Sequence, residues 1–187
     1  YKSIGILDTE ALLAACAYID LNPKAAGLVA LPEKSPHTSI RTRVEHCRRR
    51  GRLQDLSAAN TSSVAGVLAT RGLEDEGLWL CPIEDRRQQD PAARPGLLDG
   101  FSLGSYLRLV DWTSRLIRNG KARVSKDVAS LLDRLGTTAE LWCTTLHRLL
   151  TADRLTGVTF AFNRARLRQA AAQRGCRRVA NLCGCPA

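Results

Sequence analysis

Tyr18 and Asn22 stand four positions apart in Ala17-Tyr18-Ile19-Asp20-Leu21-Asn22-Pro23, within residues 8–22, which read as a helix. Stepping roughly 100° per residue from Leu12 puts Leu13, Cys16 and Ile19 on the expected buried stripe. Tyr18 and Asn22 fall at about 240° and about 280° by the same count, beside Ala11, Ala14 and Ala15. Residues at i,i+4 meet on one helix face. A phenol and an amide can therefore share one small site, flanked by alanines that let a large ligand approach. The competing use is structural: the Tyr18 ring packs on the alanine face and Asn22 caps the helix end.

Other chemistry is sparse. His37, His46 and His147 form no H-x-H, H-E-x-x-H or H-x₃-H pattern, and each reads as a solvated imidazole. The chain has no G-x-S-x-G, no phosphate-binding loop and no G-x-G-x-x-G. Seven cysteines stand at positions 16, 47, 81, 143, 176, 183 and 185. Their odd number argues for reduced thiols rather than a disulfide framework. Cys183 and Cys185, with Cys176 upstream, hint at zinc, but paired C-x₂₋₄-C elements are missing, so these residues read as part of a C-terminal tail. Arg41, Arg43, Arg48, Arg49, Arg50 and Arg52 place six arginines in twelve positions. They read as a phosphate-contacting patch, with a solvated helical face as the plain alternative.

The elements that would hold these groups follow from local signals. Asp8 is placed to cap the first helix and Glu10 to favour its dipole. Pro23 should end or kink it, because the residue before a proline disfavours the α region, and KAAGL adds a short turn ending at Gly27. Residues 32–40 read as loop, and residues 57–72 as weak structure. GLWLCPI, 77–83, reads as one strand, and residues 84–96 as a linker. Leu103, Tyr106, Leu107, Val110 and Ile117 make the apolar stripe of a helix that Gly120 can end. Ser125 caps KDVASLLDRL, Gly136 stops it, and Thr137 with Glu140 forms a capping box for the next helix. A last helix is expected from Phe160 to Arg174. Trp79, Trp112 and Trp142 could stack on bases, but each reads as a core residue.

The chain has 187 residues with a net charge of +10, 44% hydrophobic and 25% charged residues, and no methionine. Those fractions exclude a disordered or collagen-like chain. No apolar run approaches the ~20 residues of a membrane span, and the first ten residues do not read as a signal peptide, so a cytoplasmic protein is expected. The basic balance, with a pI near 9.8, points to a polyanion, nucleic acid by default. With Tyr at position 1 and no methionine anywhere, the sequence reads as the back part of a longer protein.

One segment resembles a known family. Tyr18 through Asn22-Pro23, then Ala26-Gly27-Leu28-Val29, Pro32-Glu33 and Ser35-Pro36-His37-Thr38-Ser39, resembles the tyrosine-helix region of single-tyrosine HUH transposases, in particular the bacterial REP-associated tyrosine transposases. The likeness covers about residues 9–46, with a softer one over residues 97–135.

The resemblance implies that Tyr18 attacks single-stranded or hairpin-bearing DNA to give a 5′-phosphotyrosine during transposition. Asn22 would complete the site of a divalent metal, Mg or Mn, in the full-length protein. A free phenol titrates near 10 and is a weak nucleophile at neutral pH, so the metal would activate the phosphate. Two features depart from the family. Its His-hydrophobe-His metal motif is absent, and His37 replaces the aromatic residue of the Pro/Trp-Ser-Ser loop. The chain alone is therefore expected to hold no metal and to nick no DNA.

The implied fold is mainly α: the C-terminal helical part of an α+β transposase whose sheet lies largely outside this chain. Residues 1–46 would end the catalytic domain, 47–96 would be a basic segment and linker, and 97–187 a helical extension. DNA is the expected partner, with no membrane, and the family works as a monomer or a homodimer. The alternatives are a non-catalytic basic helical module that binds nucleic acid and a decayed mobile-element remnant.

Overall fold

The computed structural model describes residues 4–52, 54, 70, 73, 75–119, 126–151, 158–161, 165, 166, 168, 169 and 172. Tertiary contacts divide the chain into two compact units, Tyr1–Tyr18 with Leu132–Ala187, and Ile19–Leu131. The described residues are mainly helical, as expected, and no described helix is long and apolar enough to cross a membrane.

The first unit opens with β1, Ile4–Ile6, which pairs in parallel with β4, Val158–Phe160, in the register Ile4↔Val158 and Ile6↔Phe160. Phe160 is therefore the end of a strand and not the start of the last helix. Helical backbone is described at positions 165, 166, 168, 169 and 172. Between these strands in sequence lie α4, Lys126–Arg134, of which only the end from Leu132 belongs to this unit, and α5, Ala139–Thr151. Gly136 stops α4 as expected, with Gly136 N–H donating to Asp133 O and Thr137 N–H to Leu132 O. That reverse turn uses Thr137, which is buried, so the cap of α5 falls one residue later. Thr138 Oγ1 accepts from Leu141 N–H at 3.2 Å. Trp142, Leu146, Leu149, Leu132 and Leu135 are buried around these helices.

Helix α1, Thr9–Ala25, starts where its cap predicts: Asp8 Oδ1 accepts from Ala11 N–H at 2.8 Å. It does not stop at Pro23. A proline in the last turn removes one backbone donor, and other bonds hold the turn. Leu28 N–H reaches Pro23 O and Gly27 N–H reaches Lys24 O, a paired closure around Gly27, whose φ of +72° suits glycine. Gly27 therefore closes the helix, and Asn22 lies within it, its carbonyl accepting from Ala26 N–H. The Lys24 ammonium donates to Ser114 O and Ser114 Oγ.

The second unit continues with a 3₁₀ turn at Pro32–Lys34 and helix α2, Ser39–Arg49. Residues 77–83 do not form the expected strand. They make a turn at Gly77 and bends at Trp79 and Leu80, and the strand pairing lies just after them. There β2, Glu84–Asp85, pairs with β3, Leu98–Asp99. The segment expected to be a linker is thus stitched in place, Arg94 reaching back to the carbonyls of Trp79 and Leu80 at 3.1 and 3.0 Å. Helix α3, Leu103–Asn119, is the unit's spine. The expected stripe Leu103, Tyr106, Leu107 and Val110 is buried, but so are Leu109, Trp112, Thr113 and Ser114 on other faces. From Leu103 to Val110 the helix is buried on every side, which makes that stretch core, and its exposed positions begin only at Arg115. The side chain of Ile117, Gly120, Ser125 and most of residues 57–72 lie outside the described residues.

Candidate functional site on the tyrosine helix

The buried face of α1 comprises Ala11, Leu13, Ala14, Ala17, Asp20 and Leu21. It is rotated from the expected stripe: Ile19 is 56% exposed, and Leu12 and Cys16 are only half-buried. Ala11 and Ala14, expected to leave room for a large ligand beside Tyr18, are fully buried instead, and so is Ala17. Asp20, counted as polar in any hydrophobic pattern, is 99% buried because its partners lie inside the second unit.

Asp20 organises this region. Its carboxylate accepts from Ser39 Oγ at 3.0 and 2.9 Å, from Ile40 N–H at 3.0 Å and from Tyr106 Oη at 2.6 Å. Ser39 and Ile40 are the first two residues of α2, whose own N-cap residue, Thr38, makes no capping bond. Asp20 caps α2 from another helix, where the positive end of the dipole favours an anion. A carboxylate removed from water is tolerated only when its lone pairs are used, and four contacts use them.

This divides the residues that carry the resemblance into two groups. Asp20, Ser35, Pro32 and Ser39 form the scaffold, buried or half-buried. Tyr18 is half-buried and Asn22 exposed, one turn apart on α1. Asp20 lies between them in sequence, and its carboxylate anchors the part of α1 that carries Asn22 within the second unit. His37 is exposed on the connecting loop.

The arginines separate as well. Arg43 is buried and does not belong to a surface patch. Its guanidinium pairs with Asp75 at 3.2 Å, donates to Cys81 O at 2.9 Å, and lies 5.8 Å from the centre of the Tyr106 ring. Asp75 in turn accepts from Ile83 N–H at 2.5 Å. The position of Arg43 follows from helix geometry: it shares the inner face of α2 with Ile40 and Cys47, at i−3 and i+4. Arg41, Arg48, Arg49 and Arg50 are exposed and Arg52 half-buried. Arg48 and Arg49 both pair with Glu45 at the surface, and Arg50 donates to Glu76 O at 2.6 Å.

Among the described residues no cluster of three or more His, Cys, Asp or Glu side chains can hold a metal ion. Asn22 offers one amide oxygen, which alone does not make a divalent-cation site. Burial pushes the Cys47 thiol up to about 11, with help from the Asp75 charge, and burial alone does the same for Cys143. A cavity of about 500 Å³ opens beside Asp75, Glu76, Glu84, Asp90 and Arg94, and none of the sequence-predicted site residues lines it.

Asp20, Tyr106 and Asp75 are the residues whose roles sequence reasoning missed. For Asp20 a signal existed: an acid between Ile19 and Leu21, three residues after Ala17, on a helix face that is otherwise small and apolar. Asp75 and Tyr106 carry no local mark of their roles, because their partners lie far off in sequence. Comparison with protein-family models, curated proteins and solved structures gives no match to this chain.

Proposed function

We propose that this chain is the tyrosine-helix part of a DNA transposase of the single-tyrosine HUH class, acting on single-stranded or hairpin DNA in the cytoplasm as a monomer or homodimer. The supporting observation is that Tyr18 and Asn22 stand one turn apart on helix α1, the first half-buried and the second exposed. In the proposed step the Tyr18 phenolic oxygen forms a bond to phosphorus and loses its proton. The bond from phosphorus to the 3′ oxygen breaks, and that oxygen leaves with the electron pair and takes up a proton. The products are a 5′-phosphotyrosine and a free 3′-hydroxyl. The chain's own described residues do not compose the metal site that the resemblance implies, so no step is assigned to a metal here. The 187-residue chain alone is expected to leave DNA uncut.

The test uses the chain extended by the coding sequence upstream of Tyr1, incubated with labelled hairpin DNA and Mg or Mn. A covalent adduct that survives denaturing gel electrophoresis and disappears in Tyr18→Phe supports the reading. An adduct that persists in Tyr18→Phe, or none in the wild type, refutes it.

A second reading is favoured by the four exposed arginines of α2 and its end, Arg41, Arg48, Arg49 and Arg50. It makes the chain a basic nucleic-acid-binding module without catalysis. Under it, Tyr18→Phe changes nothing that the extended protein does.

A further inference from the structure

Of the three tryptophans, Trp112 and Trp142 are buried, as the sequence suggested, and Trp79 is not: it is 77% exposed. Its near neighbours Leu78 and Ile83 are buried, so the loop is anchored on both sides of an indole that points to solvent. We propose that Trp79 is a stacking platform for a base of single-stranded nucleic acid, set beside phosphate-contacting arginines at the end of α2. The proposal rests on the reading that this chain binds nucleic acid and adds the site at which a base is held.

The loop is pinned at several points. Arg94 donates to three successive carbonyls, those of Leu78, Trp79 and Leu80. From α2, Arg43 reaches Cys81 O at 2.9 Å, and Arg50 reaches Glu76 O at 2.6 Å. Trp79 therefore lies between two carbonyls, at positions 76 and 81, that are both tied to α2. A platform held in one conformation before binding loses little entropy when a ligand arrives.

The same ties define the electrostatic surroundings. Arg50 links the loop to the C-terminal end of α2, where Arg48 and Arg49 are exposed. Their pairing with Glu45 is at the surface, and such pairs are weak enough for phosphate to compete. The chain carries +10 overall. An exposed indole on a loop tied to an arginine-rich helix end offers the two elements that bind single strands: arginines follow the backbone, and an aromatic ring stacks on a base of any sequence. A duplex keeps its bases stacked on one another, and a sulfated polysaccharide has no base at all. Both would use the arginines and ignore the indole. A protein partner would use the indole with little dependence on salt.

The experiment measures binding of the full 187-residue chain to an oligothymidylate, a duplex of equal length and heparin, each at several salt concentrations. The proteins are wild type, Trp79→Ala, Trp79→Phe, and Arg41→Ala with Arg48→Ala and Arg49→Ala combined, Arg50 being kept because it pins the loop. Thermal melting verifies that each is folded. The expected result is an oligothymidylate affinity about 5- to 150-fold weaker in Trp79→Ala, mostly restored in Trp79→Phe, with the salt slope unchanged. Duplex and heparin binding should not move. An unchanged oligothymidylate affinity in Trp79→Ala, or an equal loss for heparin or duplex, overturns the platform. If the arginine variant flattens the salt dependence while Trp79→Ala is silent, nucleic-acid binding stands and the platform falls. If the wild-type chain binds no oligothymidylate, both fall.

Discussion

The Tyr106 hydroxyl donates to the Asp20 carboxylate at 2.6 Å, joining residues 86 positions apart in sequence. Both are buried, so the bond has one charged partner and little competition from water. Tyr106→Phe deletes one hydrogen bond to a charged group and should cost roughly 1.5–3 kcal/mol. Asp20→Ala should cost more, because the Tyr106 hydroxyl, the Ser39 hydroxyl and the Ile40 amide all lose their acceptor. Urea unfolding of the two single variants and the double variant would measure the coupling. Additive losses would mean that the bond contributes nothing specific.

Arg43 and the exposed arginines should separate in experiment. Arg43→Ala leaves Asp75 buried without its cation, and breaking a buried pair costs about 3–5 kcal/mol. Its effect should appear in unfolding curves. Replacing exposed Arg41, Arg48 and Arg49 with alanine should leave the unfolding midpoint nearly unchanged, and Arg50 is left in place because it holds Glu76 O. The slope of log affinity for single strands against log salt should become shallower by up to about 2, for three phosphate contacts at about 0.7 each. An unchanged slope would make these arginines a solvated face.

Gly104 should reverse the usual helix rule. Alanine normally exceeds glycine by about 1 kcal/mol inside a helix. A Cβ on Gly104 would sit 2.0 Å from Thr70 O and 2.7 Å from Thr70 C, both backbone atoms. Gly104→Ala should therefore destabilise the chain by roughly 1–3 kcal/mol, the cost of overpacking. A thermal melt decides the sign, and a rise in midpoint would contradict the close approach of α3 to Thr70.

The Cys47 thiol predicts a loss of stability in mild alkali. Burial first, and then the Asp75 charge, raises it from 9.0 to about 11 in the folded chain. The unfolded chain releases this proton at lower pH than the folded one. The stabilisation is therefore complete below about pH 9 and disappears as pH climbs through about 11. Unfolding free energies of wild type and Cys47→Ala should differ progressively over that interval, the variant falling less steeply. The same burial should make Cys47 slow to alkylate at pH 8, while exposed Cys81 reacts early, a difference that peptide mapping by mass spectrometry can follow.

Much of the architecture was legible locally. Asp8 caps α1, Gly136 ends α4, and the stripe on α3 is buried, because caps, positive-φ stops and helical periodicity act over a few residues. The failures have a common cause in longer-range contacts. Pro23 did not stop α1, because Lys24 is tied to Ser114 and the closure at Gly27 holds the last turn. Residues 77–83 are apolar enough for a strand, but Arg43, Arg50 and Arg94 bind the carbonyls a strand would have used. Thr137 lost the cap of α5 to Thr138 because the turn closing α4 had already taken it.

For the site, sequence alone determined the residue types and their spacing: Tyr18 and Asn22 one turn apart on a helix, and a dense run of arginines after it. Helical geometry fixes that much in any context. Tertiary structure decided which side of the helix is inside, through the burial of Asp20, and removed Arg43 from the surface while leaving Trp79 on it. Burial depends on which distant partners satisfy a charge or a carbonyl, and Tyr106, Asp75 and Arg94 are partners that no local pattern announces.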